Sequence, residues 1–131
     1  MGCNIRQTAG KFRISAANQP AAYRAAMAMP DKEYTQVCSG WKNRNGLRDI
    51  YSVLEHWGYA PTLDKPSGYI VALQLEAERL GDEVELFKAI APYVDAGSYI
   101  EILAPSYNEM WRWVFDGKTC REVRPKIVWP E

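Results

Sequence analysis

Between Asp82 and Val123 the apolar period switches from 3.6 residues to 2, which requires a helix followed by strands. Asp82 and Glu85 make an Asp-x-x-Glu start close to a capping box, with both carboxylates in the first turn, where a helix dipole favours them. Phe87, Ile90, Ala91 and Val94 follow at the i, i+3, i+4, i+7 spacing of a buried stripe. Pro92 removes a backbone donor and predicts a kink or an early end; Gly97 supplies a left-handed stop. Ser98, Ile100 and Ile102 then face one way, and Tyr99, Glu101 and Leu103 the other. In the next strand Trp111, Trp113 and Phe115 share a face against Met110, Arg112 and Val114. Asp116-Gly117 predicts a two-residue type I′ hairpin between Phe115 and Lys118. The segment therefore reads as one helix and a three-stranded antiparallel meander, with Ile100, Ile102, Trp111, Trp113 and Phe115 under the helix. Glu101 and Arg112 then meet on the opposite face, where they can pair across strands.

Upstream, Lys11 to Ser15 alternates and predicts a strand with Phe12 and Ile14 on one side. Asn18 is the expected N-cap of an alanine-rich helix with Pro20 in its first turn, stopped by Pro30. Tyr34 to Val37 reads as a short strand, and Ser39-Gly40 and Asn43 to Gly46 as turns. Leu47, Ile50, Tyr51, Leu54 and Trp57 recur at helical spacing, predicting a helix over 47–57 ended by Gly58. Ala60 to Gly68, with two prolines and a glycine, reads as a loop, and Tyr69 to Leu75 as a strand. Lys126 to Trp129 offers a last short strand. The order β-α-(β)-α-β-α-β-β-β over 1–131 predicts a single α+β domain, a mostly antiparallel sheet with helices packed on one face.

The block Leu80 to Val123, LGDEVELFKAIAPYVDAGSYIEIL…EMWRWVFDGKTCREV, resembles a recurring block in small bacterial and prophage proteins of unknown function. Ile5 to Ile14 and the helix before residue 58 fit the same pattern. Relatives carry a short Gly- and acid-rich turn between the two meander strands, where this chain has Ala104-Pro105-Ser106-Tyr107-Asn108. The resemblance implies a shared fold and a phage or mobile-element setting. It brings no catalytic residues.

Formal charge is zero, which argues against a dedicated polyanion binder. Residues 1–62 nevertheless hold eight Lys/Arg and four Asp/Glu, and residues 63–131 eight and twelve. The three cysteines, Cys3, Cys38 and Cys120, are odd in number and widely spaced, so a disulfide framework is not indicated. With His56 they lack the short ligand spacings of zinc sites, and free thiols in a reducing cytoplasm are expected. No metal, no cofactor and no membrane span is expected, and neither phosphate-binding glycine motif occurs. His56 is the single histidine and has no nucleophile context, so no catalytic residue is assigned.

Two binding candidates follow. Trp41, Lys42, Arg44 and Arg48 combine one ring, three cations and a turn-rich segment. That chemistry serves a protein hot spot or a single-stranded nucleic acid, unless Trp41 folds into the core and leaves an ordinary solvated loop. Tyr99, Glu101 and Arg112 form the second candidate, on the sheet face away from the helix. The expected function is a non-catalytic accessory protein that binds another protein, with inhibition of a host defence nuclease as the form the resemblance suggests. A nucleic-acid-binding accessory protein and a small-molecule enzyme are the alternatives.

Overall fold

The computed structural model describes residues 5–34, 41–76, 82–105 and 108–130. The chain is α+β and its strands pair antiparallel. In order it forms β1 (Arg6–Lys11), α1 (Gln19–Met27), a 3₁₀ turn (Trp41–Gly46), α2 (Ile50–His56), β2 (Tyr59–Leu63), β3 (Ile70–Leu75), α3 (Glu83–Ile90), β4 (Tyr99–Ala104), β5 (Glu109–Phe115) and β6 (Cys120–Val123). The strands divide into a four-stranded sheet, β1-β4-β5-β6, and a hairpin, β2-β3.

The meander forms as expected and Glu101 opposes Arg112; in the same register Ile100 opposes Trp113 and Ile102 opposes Trp111. Ser98, Ile100, Ile102, Trp113 and Phe115 are buried, whereas Trp111 is only half-buried. α3 lies over this face. Phe87 meets Trp113 at 5.3 Å, Phe115 at 5.7 Å and Tyr59 at 5.5 Å between ring centroids, all edge to face. α3 stops at Ile90, and Pro92 sits in the 3₁₀ turn that follows. Two ion pairs, Arg13–Asp95 and Lys32–Glu85, join the basic and acidic halves. Cys120 is a buried free thiol, and burial pushes its pKa up to about 12.

Several boundaries differ from the sequence reading. β1 lies before Lys11–Ser15: Phe12 and Ile14 are buried as expected, but there the chain crosses to β3, through mutual backbone bonds of 3.0 Å between Ile14 and Ile70. Asn18 stands at the N-cap of α1 without a side-chain cap bond, and so does Asp82 before α3. α2 begins at Ile50, not 47, because Asp49 and Ser52 form a capping box; Asp49 Oδ1 accepts from the Ser52 amide at 2.8 Å.

The expected 60–68 loop is partly strand β2. Glu76 N–H donates to Gly58 O at 2.8 Å, so by alternation Pro61 occupies a non-hydrogen-bonded position opposite Leu73. Its missing donor faces away from the pair, which is where an edge strand tolerates proline. The β5–β6 connection has four residues rather than two, with Phe115 paired to Cys120. The Asp116 carboxylate accepts from the Lys118 and Thr119 amides at 2.9 and 2.8 Å, which holds its pKa below the ordinary range, and only Gly117 takes positive φ. Residues 126–129 form no strand, and 35–37 lie outside the described residues.

One side chain ties the hairpin to the four-stranded sheet. Gln7 Nε2 donates to Leu73 O at 2.9 Å, and Gln7 Oε1 accepts from Leu75 N–H at 2.8 Å. The amide thus stands in for a strand residue beside β3. Gly10 leaves it room, since a Cβ there would come within 2.7 Å of Gln7 Nε2. Gln7→Leu keeps bulk and loses both bonds. It is expected to cost about 1–3 kcal/mol in urea melts; an unchanged midpoint would mean that water replaces the amide.

Candidate functional site

The outer face of the four-stranded sheet, away from α3, gathers the second set of candidate residues. Strand alternation places Tyr99 and Glu101 on β4 and Arg112 on β5 side by side. Arg112 Nε donates to Glu101 Oε1 at 2.7 Å, and the guanidinium carbon stands 4.9 Å from the centre of the Tyr99 ring. Thr8 completes the group, its hydroxyl donating to Glu101 Oε2 at 2.8 Å. The sequence reading missed Thr8 because it sits at an irregularity of β1. Gln7 pairs with Ile102 and Ala9 with Glu101, so Thr8 is the extra residue between them.

Both oxygens of Glu101 are therefore engaged, and its side chain is only 13% exposed against 52% for Arg112. The Arg112 bond, then the Thr8 bond, holds the Glu101 pKa below its ordinary value and raises that of Arg112. For a depressed carboxylate the linkage contribution is present above the unfolded pKa and is lost as pH falls through the lower folded one. The network is thus intact at neutral pH, with the Arg112 side chain half exposed.

Beside it lies a depression of about 180 Å³ lined by Met110, Trp111, Arg112, Val123, Arg124 and Pro125 among others. Arg124 walls it. Its guanidinium pairs with Glu122 at 2.9 Å and Glu109 at 3.3 Å, and lies 5.0 Å from the centre of the Trp111 ring. Glu122 and Arg124 stand two apart, a same-face spacing on a strand, which is the sequence signal that could have revealed this clamp.

The first candidate set does not assemble as a surface. Trp41 is fully buried and packs on Trp57 at 5.5 Å, Tyr34 at 6.4 Å and His56 at 6.2 Å between centroids. Arg44 turns inward, its side chain 17% exposed. It donates to the carbonyls of Trp41, Met27 and Met29 at 3.0–3.4 Å, pairs with Asp31 at 3.3 Å and lies over the Trp41 ring at 5.1 Å. Trp41 and Arg44 therefore fasten the segment to the core, leaving Lys42 and Arg48 exposed. Among the described residues no helix is long and apolar enough to cross a membrane. Comparisons with protein-family models, with curated proteins and with solved structures each give no match.

Proposed function

We propose that the chain is a non-catalytic accessory protein that acts by binding another protein through the outer face of its four-stranded sheet. The observation that carries this reading is the Thr8–Glu101–Arg112–Tyr99 network, which fixes an arginine on the sheet face opposite α3. Arginine and tyrosine dominate interface hot spots, and a side chain already held in place loses less entropy on binding. Half-buried Leu103, Met110 and Val114 flank the network and supply apolar area around a polar centre. With the mobile-element setting that the resemblance implies, the form we propose is inhibition of a host defence nuclease by occlusion.

Nucleic-acid binding through residues 41–48 has less support, since the ring and one of the three cations serve the core. Capture of a partner from the native host tests the proposal. Arg112→Ala and Tyr99→Ala are expected to weaken capture at least about tenfold, as hot-spot truncations do. Arg112→Ala should lower the melting temperature by only a few degrees, because a pair with an exposed partner contributes about 1 kcal/mol or less and Thr8 still holds Glu101. A Lys42/Arg48→Ala variant is expected to bind normally. Loss of binding in that variant alone, with nucleic acid recovered, would overturn the reading.

A further inference from the structure

We propose that this protein forms a symmetric dimer in which each copy's Lys126–Trp129 segment adds as a strand to the outer edge of the other copy's β6. The proposal goes beyond the partner-binding reading and does not rest on it.

Ile127, Val128 and Trp129 are 85%, 82% and 83% exposed, by far the most exposed large apolar side chains among the described residues. They are β-branched or aromatic, which suits a strand, yet they are in none. The clamp on Arg124 fixes where the segment leaves the sheet. β6 is the last strand of its sheet, so its outer edge is open among the described residues. An open edge beside an unpaired strand-forming segment is a template for strand addition.

The backbone pattern selects a register. Phe115 N–H donates to Ser98 O, and Phe115 O accepts from Gly97 N–H, both at 2.9 Å. Phe115 therefore spends its backbone groups toward β4, which makes its pairing with Cys120 non-hydrogen-bonded. By alternation Arg121 and Val123 bond β5, whereas Cys120 and Glu122, and Arg124 in continuation, direct theirs outward. Place a two-fold axis on Pro125 and run two copies antiparallel. Arg124 then meets Lys126 and Glu122 meets Val128 at hydrogen-bonded positions. Pro125 meets itself at a non-hydrogen-bonded position, where its missing donor is not needed. Val123, 37% exposed, faces Ile127, and Arg121 faces the Trp129 ring. Ile127 arrives next to the depression lined by Met110, Arg112 and Val123.

Area favours a second copy over an unrelated partner. Docking of one tail on an unrelated partner buries one strand edge and the flanks of three side chains, whereas reciprocal exchange between two copies buries both tails and both edges, twice the area, in the direction of the standard specific interface. The segment and the edge that receives it meet at Pro125, so the exchange closes on itself rather than propagating.

The test is the solution mass of the full chain by light scattering and sedimentation at micromolar concentration. A mass twice 14.9 kDa is expected. Ending the chain after Pro125 should give a folded monomer with unchanged far-UV dichroism. Val128→Pro, which removes a needed donor, should also give a monomer, and Val128→Thr should remain dimeric. In a Cys3→Ser/Cys38→Ser background, Pro125→Cys should cross-link on mild oxidation, because non-hydrogen-bonded pairs place Cα atoms about 4.5 Å apart, within disulfide reach. A monomeric full chain, a dimer that survives truncation, or a Pro125→Cys dimer that fails to cross-link would overturn the proposal.

Discussion

Trp41→Ala is expected to lower stability by about 3–5 kcal/mol, the range for truncating a buried tryptophan. The ring is fully buried and holds Tyr34, His56 and Trp57 around it. Its loss also removes the face on which the Arg44 guanidinium rests. Total stability of a domain this size is on the order of 5–15 kcal/mol, so the variant should melt early or fail to fold at physiological temperature. Urea titration with fluorescence and far-UV detection reads the change. A midpoint like that of the wild type would show that Trp41 does not belong to the core, and would return the 41–48 segment to the nucleic-acid reading.

Trp113 and Trp111 separate two environments on one strand. Trp113 is 3% exposed and sits against Phe87, so Trp113→Ala is expected to cost about 3–5 kcal/mol. Trp111 is half-buried, with Arg124 over its ring, and Trp111→Ala should cost about 1–2 kcal/mol, mostly from lost apolar cover. Thermal melts of both variants check the contrast. Equal losses would mean that the helix covers Trp111 as fully as Trp113.

What could be read from the residues was what period alone decides. Ser98 to Leu103 and Met110 to Phe115 alternate so regularly that the buried face and the chance of a Glu101–Arg112 pair both follow. α3 was legible because Phe87 and Ile90 begin one buried stripe, although Ala91 and Val94, which continue it in the sequence, lie past the helix in the 3₁₀ turn and just after it. Features set by hydrogen bonds to distant or unusual partners were not legible. The hairpin β2 was hidden by Pro61, whose tolerance depends on which way one backbone position points. The Asp49–Ser52 box was missed because Leu47 extended the helical period backward and Ser stands where Glu or Gln is usual. Neither the Gln7 amide bonding β3 nor the extra Thr8 has a local sequence signature. The candidate site was half legible: Tyr99, Glu101 and Arg112 came from alternation, whereas Trp41 and Arg44 carry the composition of a contact loop but serve the core. Composition cannot distinguish a ring offered to a partner from one turned inward.

The position of β1 sets an order of events during synthesis. It pairs with β4, and Lys11 finds its partner in Tyr99, so that loop closes over most of the chain, whereas β4 and β5 are joined by four residues. Closing the longer loop costs about 3 kcal/mol more chain entropy than closing the shorter one. Lys11 and Tyr99 are 88 positions apart, so β4 leaves the ribosome long after β1, with β2 and β3 emerging between them. Until then Ile14 can bond only Ile70 of β3, and the edge of β1 that belongs to β4 stays unpaired, the form in which a growing polypeptide is most open to chaperones and to misassociation.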